Sequence, residues 1–557
     1  MKHSLTSVWR RAAYWLKSAL ILSLTVAGTG GCALAEQPTS GVAVPTRGGA
    51  CMALERTNLE RVTDSPGRIV QAHQVEEQPA SAQDQARFAL RGVSQGIPVH
   101  GLDVWPEHCL VEGYVTPDVK FAMMLPPAES WNGRFWLAAC EGWCGAVNLE
   151  TMVPALHHGY AVITNNGGHY GDAPFDAIWA YRNLEARINF AHRANHVSAE
   201  AGKAIVESFY GDAPAYSYIA GVSKGGNAGL MAAQRYPEDF DGIFSKAPVV
   251  YYNPKNAAHM LWVAKTIYPD GETPLLYADK APLIHAAAVA ACDGLDGLED
   301  GIITDPRVCD FDPVVLLCEA GQSEADNECL NAAQVEAVRQ IYAPPATEDG
   351  EVYFAFPNDP GSETEWAGVI LPIRNSPARP AFLEGAVSGL YMAFKESPEP
   401  GYDWLNFDYP AHVEEIAEMS EILDPDSLDL SAFKARGGRM IIAHGWSDGL
   451  VSPNMTIDWF EKMQAHMGGV AETETFAQLY LLPGVHHVFA GTGPYVVDAH
   501  TALVKWVEEG IAPDELLATD APDATPYRER PIYPYPAVAV YDGTGDPAVA
   551  SSFSRSE

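Results

Sequence analysis

The amino-acid sequence predicts an α/β fold, because three short apolar segments of strand composition each run into a turn that carries a polar residue. The first segment, 216–220, enters the pentapeptide at 221–225, and a helix-compatible stretch follows at 227–235. The other two segments, 439–443 and 479–482, are each followed by a loop with an acid or a histidine. Strands that alternate with helical segments are typical of the α/β class.

The pentapeptide Gly221-Val222-Ser223-Lys224-Gly225 has the G-x-S-x-G pattern of a nucleophile elbow. Its glycines let the chain turn sharply enough to hold the Ser223 hydroxyl exposed above the sheet edge. The pattern alone is a weak signal in a chain of 557 residues. Its place between a strand and a helix favours the elbow over a chance match, so Ser223 is the predicted nucleophile.

Two downstream residues complete the set that a serine nucleophile needs. Asp448 lies in the loop after the second strand, and His487 follows a Pro-Gly turn after the third. The chain order serine, aspartate, histidine is that of α/β-hydrolases. In them the imidazole takes the serine proton, and the carboxylate holds the imidazole in the correct tautomer. Two alternatives stay open: Asp448 as a loop acid that caps a helix starting near Pro453, and His486 as the base.

The length of the chain exceeds one compact core and predicts a large domain with an insertion. At the N-terminus, basic residues followed by the apolar run 19–27 have the pattern of an export signal. We expect cleavage after Ala35, with a lipoprotein signal that ends before Cys32 as the alternative. No later run reaches the ~18 apolar residues that span a bilayer. The sequence therefore predicts no transmembrane segment and a secreted or periplasmic protein, with an outer-membrane lipoprotein as the alternative.

The cysteines predict disulfides. Of nine cysteines, eight remain once a signal containing Cys32 is removed, and an even number in an exported chain favours disulfides over metal thiolates. Nearness in sequence suggests the pairs Cys140–Cys144, Cys292–Cys309 and Cys318–Cys329, which leaves Cys51–Cys109. Spacing alone leaves other pairings open.

The acidic composition excludes two classes of partner. Lysine and arginine number 35 against 72 aspartates and glutamates, which gives a formal net charge of −37. Such a surface repels nucleic acid and anionic membranes. It also provides no long-range attraction for an anionic substrate, so any recognition of a carboxylate would have to be local.

A dense acidic loop inside the predicted insertion indicates a cation site. Residues 292–306 hold glycines between closely spaced acids, so the chain can curl and bring side-chain and backbone oxygens together. Calcium takes about six to eight such oxygen ligands, although the spacing here differs from that of an EF-hand. The predicted ligands are the side chains of Asp293, Asp296 and Asp300 with the carbonyls of Leu298 and Ile302. The alternative is a solvated acidic turn held by a Cys292–Cys309 disulfide.

Several longer motifs together resemble the tannase and feruloyl esterase family, over nearly all of the chain that follows the signal. The most specific is the elbow with its following helix, 221–248, which reads GVSKGGNAGLMAAQRYPEDFDGIFSKAP. Others are the acidic loop and the short motifs at 132–135, 163–169, 329–334, 445–448, 483–487 and 506–513. The family includes fungal feruloyl esterases and tannases and a bacterial mono(2-hydroxyethyl) terephthalate hydrolase.

The resemblance implies roles for particular residues. It makes Ser223 the nucleophile, Asp448 the acid and His487 the base, and it makes the acidic loop a structural calcium site. It implies that the backbone N–H groups of Lys224 and Glu141 form the oxyanion hole, in which one donor stabilises the transition state by ~3–4 kcal/mol.

The resemblance also implies an α/β-hydrolase core interrupted by a large lid domain. The first part of the core is expected at 36–251, the lid with the calcium loop at 252–431, and the second part of the core at 432–557. One departure stands out: relatives carry a cysteine directly before the serine and another directly after the histidine, joined in a disulfide. Val222 and Val488 occupy these positions here, so we expect a divergent but active subgroup.

The predicted lid decides the substrate. Aromatic residues between 352 and 406 either wall an aromatic acyl pocket or form the hydrophobic core of the lid itself: Tyr353, Phe354, Phe356, Trp366, Phe382, Tyr391, Phe394 and Trp404. The basic residues of this span, Arg374, Arg379 and Lys395, either pair with a substrate carboxylate or lie in solvent.

Taken together, these observations predict a secreted serine carboxylic ester hydrolase that acts through an acyl-enzyme. Its expected partner is a small-molecule ester of an aromatic acid: a feruloyl, galloyl or hydroxybenzoyl ester or a terephthalate monoester. One alternative is a general carboxylesterase without aromatic preference. A second is a non-catalytic, calcium-stabilised binding protein on the same fold. The sequence makes no prediction of the oligomeric state.

Overall fold

A nine-stranded sheet organises the protein. The structure is a computed structural model that describes residues 47–60, 64–171, 175–323, 325 and 327–556, so the predicted signal at 1–35 lies outside the described residues. The strands, numbered through the chain, are β1 Gly67–Val75, β2 Gln78–Pro79, β3 Val104–Trp105, β4 His108–Val115, β5 Val119–Leu125, β6 Arg134–Ala138, β7 Ala161–Asn165, β8 Tyr216–Val222, β9 Gly242–Lys246, β10 Arg439–Gly445, β11 Ala477–Leu482, β12 Val496–Val497, β13 Leu516–Thr519, β14 Glu529–Ile532, β15 Ala539–Tyr541 and β16 Phe553–Arg555.

The large sheet has the strand order β1-β4-β5-β7-β6-β8-β9-β10-β11. The first four strands pair antiparallel, and every pair from β7 to β11 is parallel. The carboxyl ends of parallel strands lie at one edge of a sheet. The residues after β8, β10 and β11 therefore meet at that edge, although they are far apart in the chain.

Helices cover both faces of this sheet. The α-helices are Arg47–Ala53, Ala82–Ser94, Val153–His157, Leu184–Ile188, Ala194–Tyr210, Lys224–Arg235, Tyr252–Pro254, Leu261–Ile267, Ala281–Cys292, Ala332–Tyr342, Ala381–Ala393, Val413–Leu423, Ser431–Ala435, Pro453–His466, Val470–Thr473 and Ala499–Glu509. Two of them continue through π-helical turns, Asn189–Arg193 and Lys255–Met260.

Strand β6 shows how the two faces are filled, because neighbouring side chains of a strand point to opposite faces. Phe135 and Leu137 pack in a hydrophobic cluster that includes helix Ala194–Tyr210. Trp136 and Ala138 pack in a second cluster that includes helix Ala499–Glu509. A mixed sheet buried on both faces is the α/β architecture that the sequence predicts.

A long segment separates β9 from β10. Between residues 247 and 438, the described part of the chain contributes helices and loops but no strand to the large sheet. The predicted lid, 252–431, falls within this segment, which we call the inserted segment. Its aromatic residues belong to, or pack against, the same hydrophobic cluster as one face of the sheet. They form a core, as one of the two sequence interpretations holds.

The four predicted disulfides are confirmed. Cys51 pairs with Cys109, Cys140 with Cys144, Cys292 with Cys309, and Cys318 with Cys329. Among the helices of the described residues, none combines the length and apolar character needed to cross a membrane.

Candidate active site

The turn after β8 holds Ser223 in a conformation that few side chains adopt. Ser223 has φ 63° and ψ −117°, and helix Lys224–Arg235 begins directly after it. Positive φ at a residue other than glycine marks local strain, which often occurs at active sites. The turn is also tight: a Cβ on Gly221 would lie 2.8 Å from the Cα of Gly225, and a Cβ on Gly226 would lie 2.5 Å from the carbonyl oxygen of Lys246. Glycine is therefore required at both positions.

Asp448 is buried in the loop after β10, with four hydrogen bonds to its carboxylate. Its Oδ2 accepts from His487 Nδ1 at 2.6 Å and from His444 Nε2 at 3.0 Å. Its Oδ1 accepts from the backbone N–H groups of Leu450 and Val451 at 2.8 and 2.7 Å. Burial alone would raise the pKa of Asp448, but the two histidines lower it below its ordinary value. The carboxylate is therefore ionised at neutral pH.

His487, after β11, uses one ring nitrogen and leaves the other for a reactant. Burial opposes its protonated form, but the adjacent Asp448 carboxylate raises the pKa of His487 above its ordinary value. Its Nε2 is buried and makes no hydrogen bond to any described residue. The alternative base is placed elsewhere: His486 Nε2 lies 2.7 Å from Thr364 Oγ1, and burial lowers the pKa of His486 to about 4.

Ser223 and His487 face a common cavity of about 420 Å³. The structure thus brings all three predicted catalytic residues together, although no hydrogen bond joins Ser223 Oγ to His487 Nε2 among the described residues. Such bonds are often long in the absence of substrate and shorten when it binds. Val222 and Val488 also line this cavity, next to Ser223 and His487.

The loop predicted to complete the oxyanion hole lies against the elbow. Cys140 and Glu141 line the cavity with Ser223, and a Cβ on Gly225 would meet the carbonyl oxygen of Cys140 at 3.3 Å. The Glu141 side chain forms an ion pair with Arg91. The Cys140–Cys144 disulfide closes this loop.

Sequence reasoning missed Lys246, which joins the elbow to the histidine loop. Its carbonyl oxygen accepts from the Ser223 N–H at 2.9 Å, and its Nζ donates to the carbonyl oxygen of Val488 at 2.7 Å. Burial lowers the pKa of Lys246 to about 8, although Glu141 and Asp448 attract the cation. A lysine at the end of a strand pattern gives no sequence signal for such a contact.

A second missed residue, Glu365, comes from the inserted segment. Its carboxylate accepts from the backbone N–H of Gly449 at 2.8 Å and from that of His487 at 3.1 Å. It therefore connects the aspartate loop to the histidine loop. Burial, with a further effect of Asp448, raises the pKa of Glu365 above its ordinary value. His444 was also missed, although its place four residues before Asp448 offered a signal.

The acidic loop curls around one of its predicted ligands. Asp293 Oδ1 accepts from the backbone N–H groups of Asp300, Gly301 and Ile302 at 3.1–3.2 Å. Asp300 Oδ2 accepts from Arg530 at 2.8 Å. Burial, opposed by Arg530 and reinforced by Asp293 and Asp296, raises the pKa of Asp300. The three carboxylates are thus close enough to repel one another.

The fit of this loop to a cation is partial. Within the described ranges, no three side chains of histidine, cysteine, aspartate or glutamate converge to hold a metal ion. Asp296 accepts from the Thr304 hydroxyl and from the Leu298 N–H, so it would have to turn to bind a cation. The donor set consists of oxygen alone, which suits calcium.

The basic residues considered for a substrate carboxylate lie away from the cavity. Arg374 pairs with Asp279 at 2.9 Å, Arg379 with Glu384 at 4.0 Å and Lys395 with Glu418 at 3.5 Å, and all three side chains are more than half exposed. None of the predicted lid aromatics lines the cavity either.

Several known proteins are similar to this chain. A family model described as tannase and feruloyl esterase matches residues 105–556. Mono(2-hydroxyethyl) terephthalate hydrolase from Piscinibacter sakaiensis is 32% identical over 81% of this chain and 85% of its own length. A probable feruloyl esterase from Arthroderma benhamiae is 31% identical over 79% of this chain and 83% of its own length.

Two solved structures share the fold. Feruloyl esterase B from Aspergillus oryzae superposes with a TM-score of 0.74 at 24% identity, over 91% of this chain and 100% of that one. Tannin acyl hydrolase from Aspergillus niger superposes with a TM-score of 0.70 at 18% identity, over 91% of this chain and 95% of that one. These likenesses confirm the predicted α/β-hydrolase core.

Proposed function

The chain belongs to the tannase and feruloyl esterase family and is an esterase, and from this premise we propose that it hydrolyses esters of aromatic carboxylic acids with Ser223 as nucleophile. The substrate class rests on the names of its relatives, which are esterases of feruloyl, tannin and terephthalate compounds. A feruloyl, galloyl or hydroxybenzoyl ester and a terephthalate monoester are the candidates.

The observation that carries the proposal is the short contact between His487 and Asp448. The 2.6 Å bond from Nδ1 fixes the tautomer in which Nε2 is free to accept a proton. Nε2 has no hydrogen-bonding partner in the described part of the chain, and His487 lines the same cavity as Ser223. A serine hydroxyl becomes nucleophilic when such a base takes its proton.

The proposed reaction has two steps. In the first, His487 removes the Ser223 proton while Oγ attacks the ester carbonyl, and the protonated imidazole then gives the proton to the departing alcohol. In the second, His487 takes a proton from water while the water oxygen attacks the acyl carbon; the acyl–Oγ bond then breaks, and the imidazolium returns its proton to Ser223 Oγ as the acid leaves. The N–H groups of Lys224 and Glu141 would stabilise the oxyanion in both steps, each by ~3–4 kcal/mol.

Hydrolysis by the purified mature protein tests this function. The panel is methyl ferulate, methyl gallate, mono(2-hydroxyethyl) terephthalate and p-nitrophenyl acetate, each with wild type and with Ser223→Ala. We expect turnover of at least one aromatic ester, its loss in the variant, and an acyl adduct on Ser223 by mass spectrometry. Turnover of p-nitrophenyl acetate alone would contradict the aromatic preference. Activity that survives in Ser223→Ala would contradict the nucleophile.

We also propose export from the cytoplasm. The four disulfides support an oxidising compartment. Mass spectrometry of the mature N-terminus is expected to find Glu36 as the first residue. A mature chain that begins with a lipid-modified Cys32 would show that the protein is a lipoprotein and not a freely secreted protein. An uncleaved chain would contradict export through a cleaved signal.

A third proposal concerns calcium in the acidic loop. Asp293, Asp296 and Asp300, with the carbonyls of Leu298 and Ile302, would hold the ion, which would offset the repulsion among the carboxylates. We expect a chelator to lower the melting temperature of wild type and to leave that of Asp296→Ala unchanged. An identical melting temperature of wild type with and without chelator would remove the calcium proposal.

A further inference from the structure

Lys255 is a buried lysine that the proposed chemistry does not use. It opens the π-helical turn Lys255–Met260 of the inserted segment, and only 4% of its surface is exposed. In the described structure, its ammonium group makes no hydrogen bond or ion pair. Nζ lies 5.1 Å from the centroid of the Phe382 ring. Turns of π-helix occur frequently at functional sites.

The position of Lys255 links it to the nucleophile. Lys255 lines a recess that shares Gly142, Phe175, Ser223 and Leu450 with the main cavity. The recess is therefore an inward extension of the space in front of Ser223. An aromatic substrate held at Ser223 could direct a substituent of its ring into this recess, whose volume is about 20 Å³.

A buried amine without an acceptor is unfavourable, since desolvation disfavours its charged form. Burial lowers the pKa of Lys255 to about 7, although Asp448 favours the cation. Asp448 cannot serve as a close partner, because both of its oxygens are already occupied by histidines and backbone N–H groups. An anionic group of a ligand would supply the missing acceptor.

The other buried or partly buried cations around the site already have acceptors. Lys224 donates to the carbonyl oxygen of Ala191 and to Asn227, and Lys246 donates to the carbonyl oxygen of Val488. Arg91 lines the main cavity, but Glu141 and Glu150 neutralise it. Lys255 therefore differs from Lys224, Lys246 and Arg91, because its ammonium group has no acceptor among the described residues.

We propose that Lys255 binds a carboxylate of the substrate, so that the enzyme prefers aromatic esters that carry a second, free acid group. This inference rests on the proposed function and names the substrate class of the same site. The recess has a volume of about 20 Å³, so it admits only a small polar end group, while the ring of the substrate lies in the main cavity of about 420 Å³ beside Phe175. The carboxylate belongs to the acyl part or to the alcohol part of the ester, and both are tested below.

Two pairs of substrates that differ only in the free acid test the proposal. Monomethyl terephthalate against dimethyl terephthalate places the carboxylate on the acyl side, and 4-acetoxybenzoate against its methyl ester places it on the alcohol side. In one pair we expect kcat/KM of wild type to be at least about tenfold higher for the substrate with the free acid than for its methyl ester. The reason is that the carboxylate accepts a hydrogen bond from the buried Lys255 amine, which otherwise has no acceptor among the described residues. Lys255→Met keeps the length of the side chain and should abolish the preference.

The ratio within a pair separates recognition from a general loss of activity. Lys255 also lowers the pKa of His487, so we expect the variant to change kcat for every substrate, and to change it alike for both members of a pair. Lys395→Met is the matched control, since this exposed lysine lies on the same inserted segment, and it should keep the wild-type ratio. Lys255→Gln provides a second variant if Lys255→Met does not fold. A ratio that is the same in wild type and in the folded Lys255 variant would overturn the proposal.

A binding measurement separates this inference from the proposed function. By calorimetry, wild type should bind terephthalate at least about tenfold more tightly than terephthalamide, and Lys255→Met should bind the two alike. If wild type hydrolyses neither the panel of esters nor the two substrate pairs but shows this difference in binding, the reaction class is wrong and the anion site stands. If wild type hydrolyses the esters but binds terephthalate no better than Lys255→Met does, the anion site is wrong and the esterase stands.

Discussion

The inserted segment and the catalytic edge of the sheet are cross-linked by different chemistry. In the inserted segment, disulfides close the loops 292–309 and 318–329. At the edge of the sheet that carries Ser223, Asp448 and His487, Lys246 donates a hydrogen bond to the backbone carbonyl of Val488, and Glu365 accepts hydrogen bonds from the backbone N–H groups of Gly449 and His487. Disulfides therefore close short loops in the inserted segment, as Cys140–Cys144 does within one loop at the catalytic edge. The contacts between loops that are far apart in the chain are made at that edge by enclosed charged groups.

The difference predicts separate consequences for stability and for activity. A disulfide mainly restricts the unfolded chain, so its loss should lower stability while leaving a distant site intact. The hydrogen bonds of the enclosed Lys246 and Glu365 to the backbone in and beside His487 position this residue in the folded state. Their loss should reduce turnover more than it reduces stability.

The largest effect should come from the catalytic edge itself. Asp448→Asn should lower kcat about 10⁴-fold, because the amide no longer holds His487 in the tautomer that accepts a proton at Nε2. Initial rates on the best ester of the panel measure this. The melting temperature serves as the control for folding, and a folded variant within tenfold of wild type would contradict the role of Asp448.

Removal of a covalent cross-link should affect stability alone. Cys292 and Cys309 are separated by 17 positions, and for a loop of this size the chain-entropy model gives about 3 kcal/mol of unfolding free energy. Replacement of both by serine should lower the urea midpoint accordingly and leave kcat unchanged. A large loss of kcat in the folded double variant would contradict the expectation that loss of this disulfide lowers stability and leaves the catalytic edge intact.

Removal of a polar cross-link should do the opposite. Lys246→Met should lower kcat/KM by about 10- to 100-fold, the equivalent of a buried charged hydrogen bond of about 1.5–3 kcal/mol. The same substitution is also measured in a protein that carries both Val222→Cys and Val488→Cys, which places a cysteine pair next to Ser223 and His487. If a disulfide between the elbow and the histidine loop takes over the function of Lys246, then Lys246→Met should cost less in that background. An equal loss in both backgrounds would contradict the positioning role.

The smallest expected effect is a change in how stability depends on pH. The pKa of Glu365 is higher in the folded chain than in the unfolded one, so its protonated form stabilises the fold at low pH, and that contribution is lost as pH rises through the folded pKa. Stability measured between pH 5 and 8 should therefore fall less in Glu365→Gln than in wild type, by about 1 kcal/mol per unit of pKa shift. Parallel curves for the two proteins would contradict this contribution.

The parts that could be predicted from the sequence are those with a local pattern. Ser223 was found because a tight turn needs glycines at fixed positions, and Asp448 and His487 because each follows an apolar strand. Lys246, Glu365 and Lys255 were missed because, among the described residues, none of them contacts a side chain that the sequence could pair with it. The first two bind backbone groups, which leave no trace in the sequence, and Lys255 has no protein acceptor. Only the folded chain shows which lysine is enclosed and which, like Lys395, lies in solvent.

The contact between Glu365 and the backbone of His487 also has an evolutionary consequence. The inserted segment that carries Glu365 also contributes Tyr252 and Lys255 to the recess beside Ser223. Mutations in this segment that adapt the site to a new ester therefore also change the support of the His487 backbone. Substitutions near Glu365 should accordingly be rarer than substitutions in the helices of the segment that lie farther from it. Change of specificity in such a protein should proceed through substitutions that spare this carboxylate.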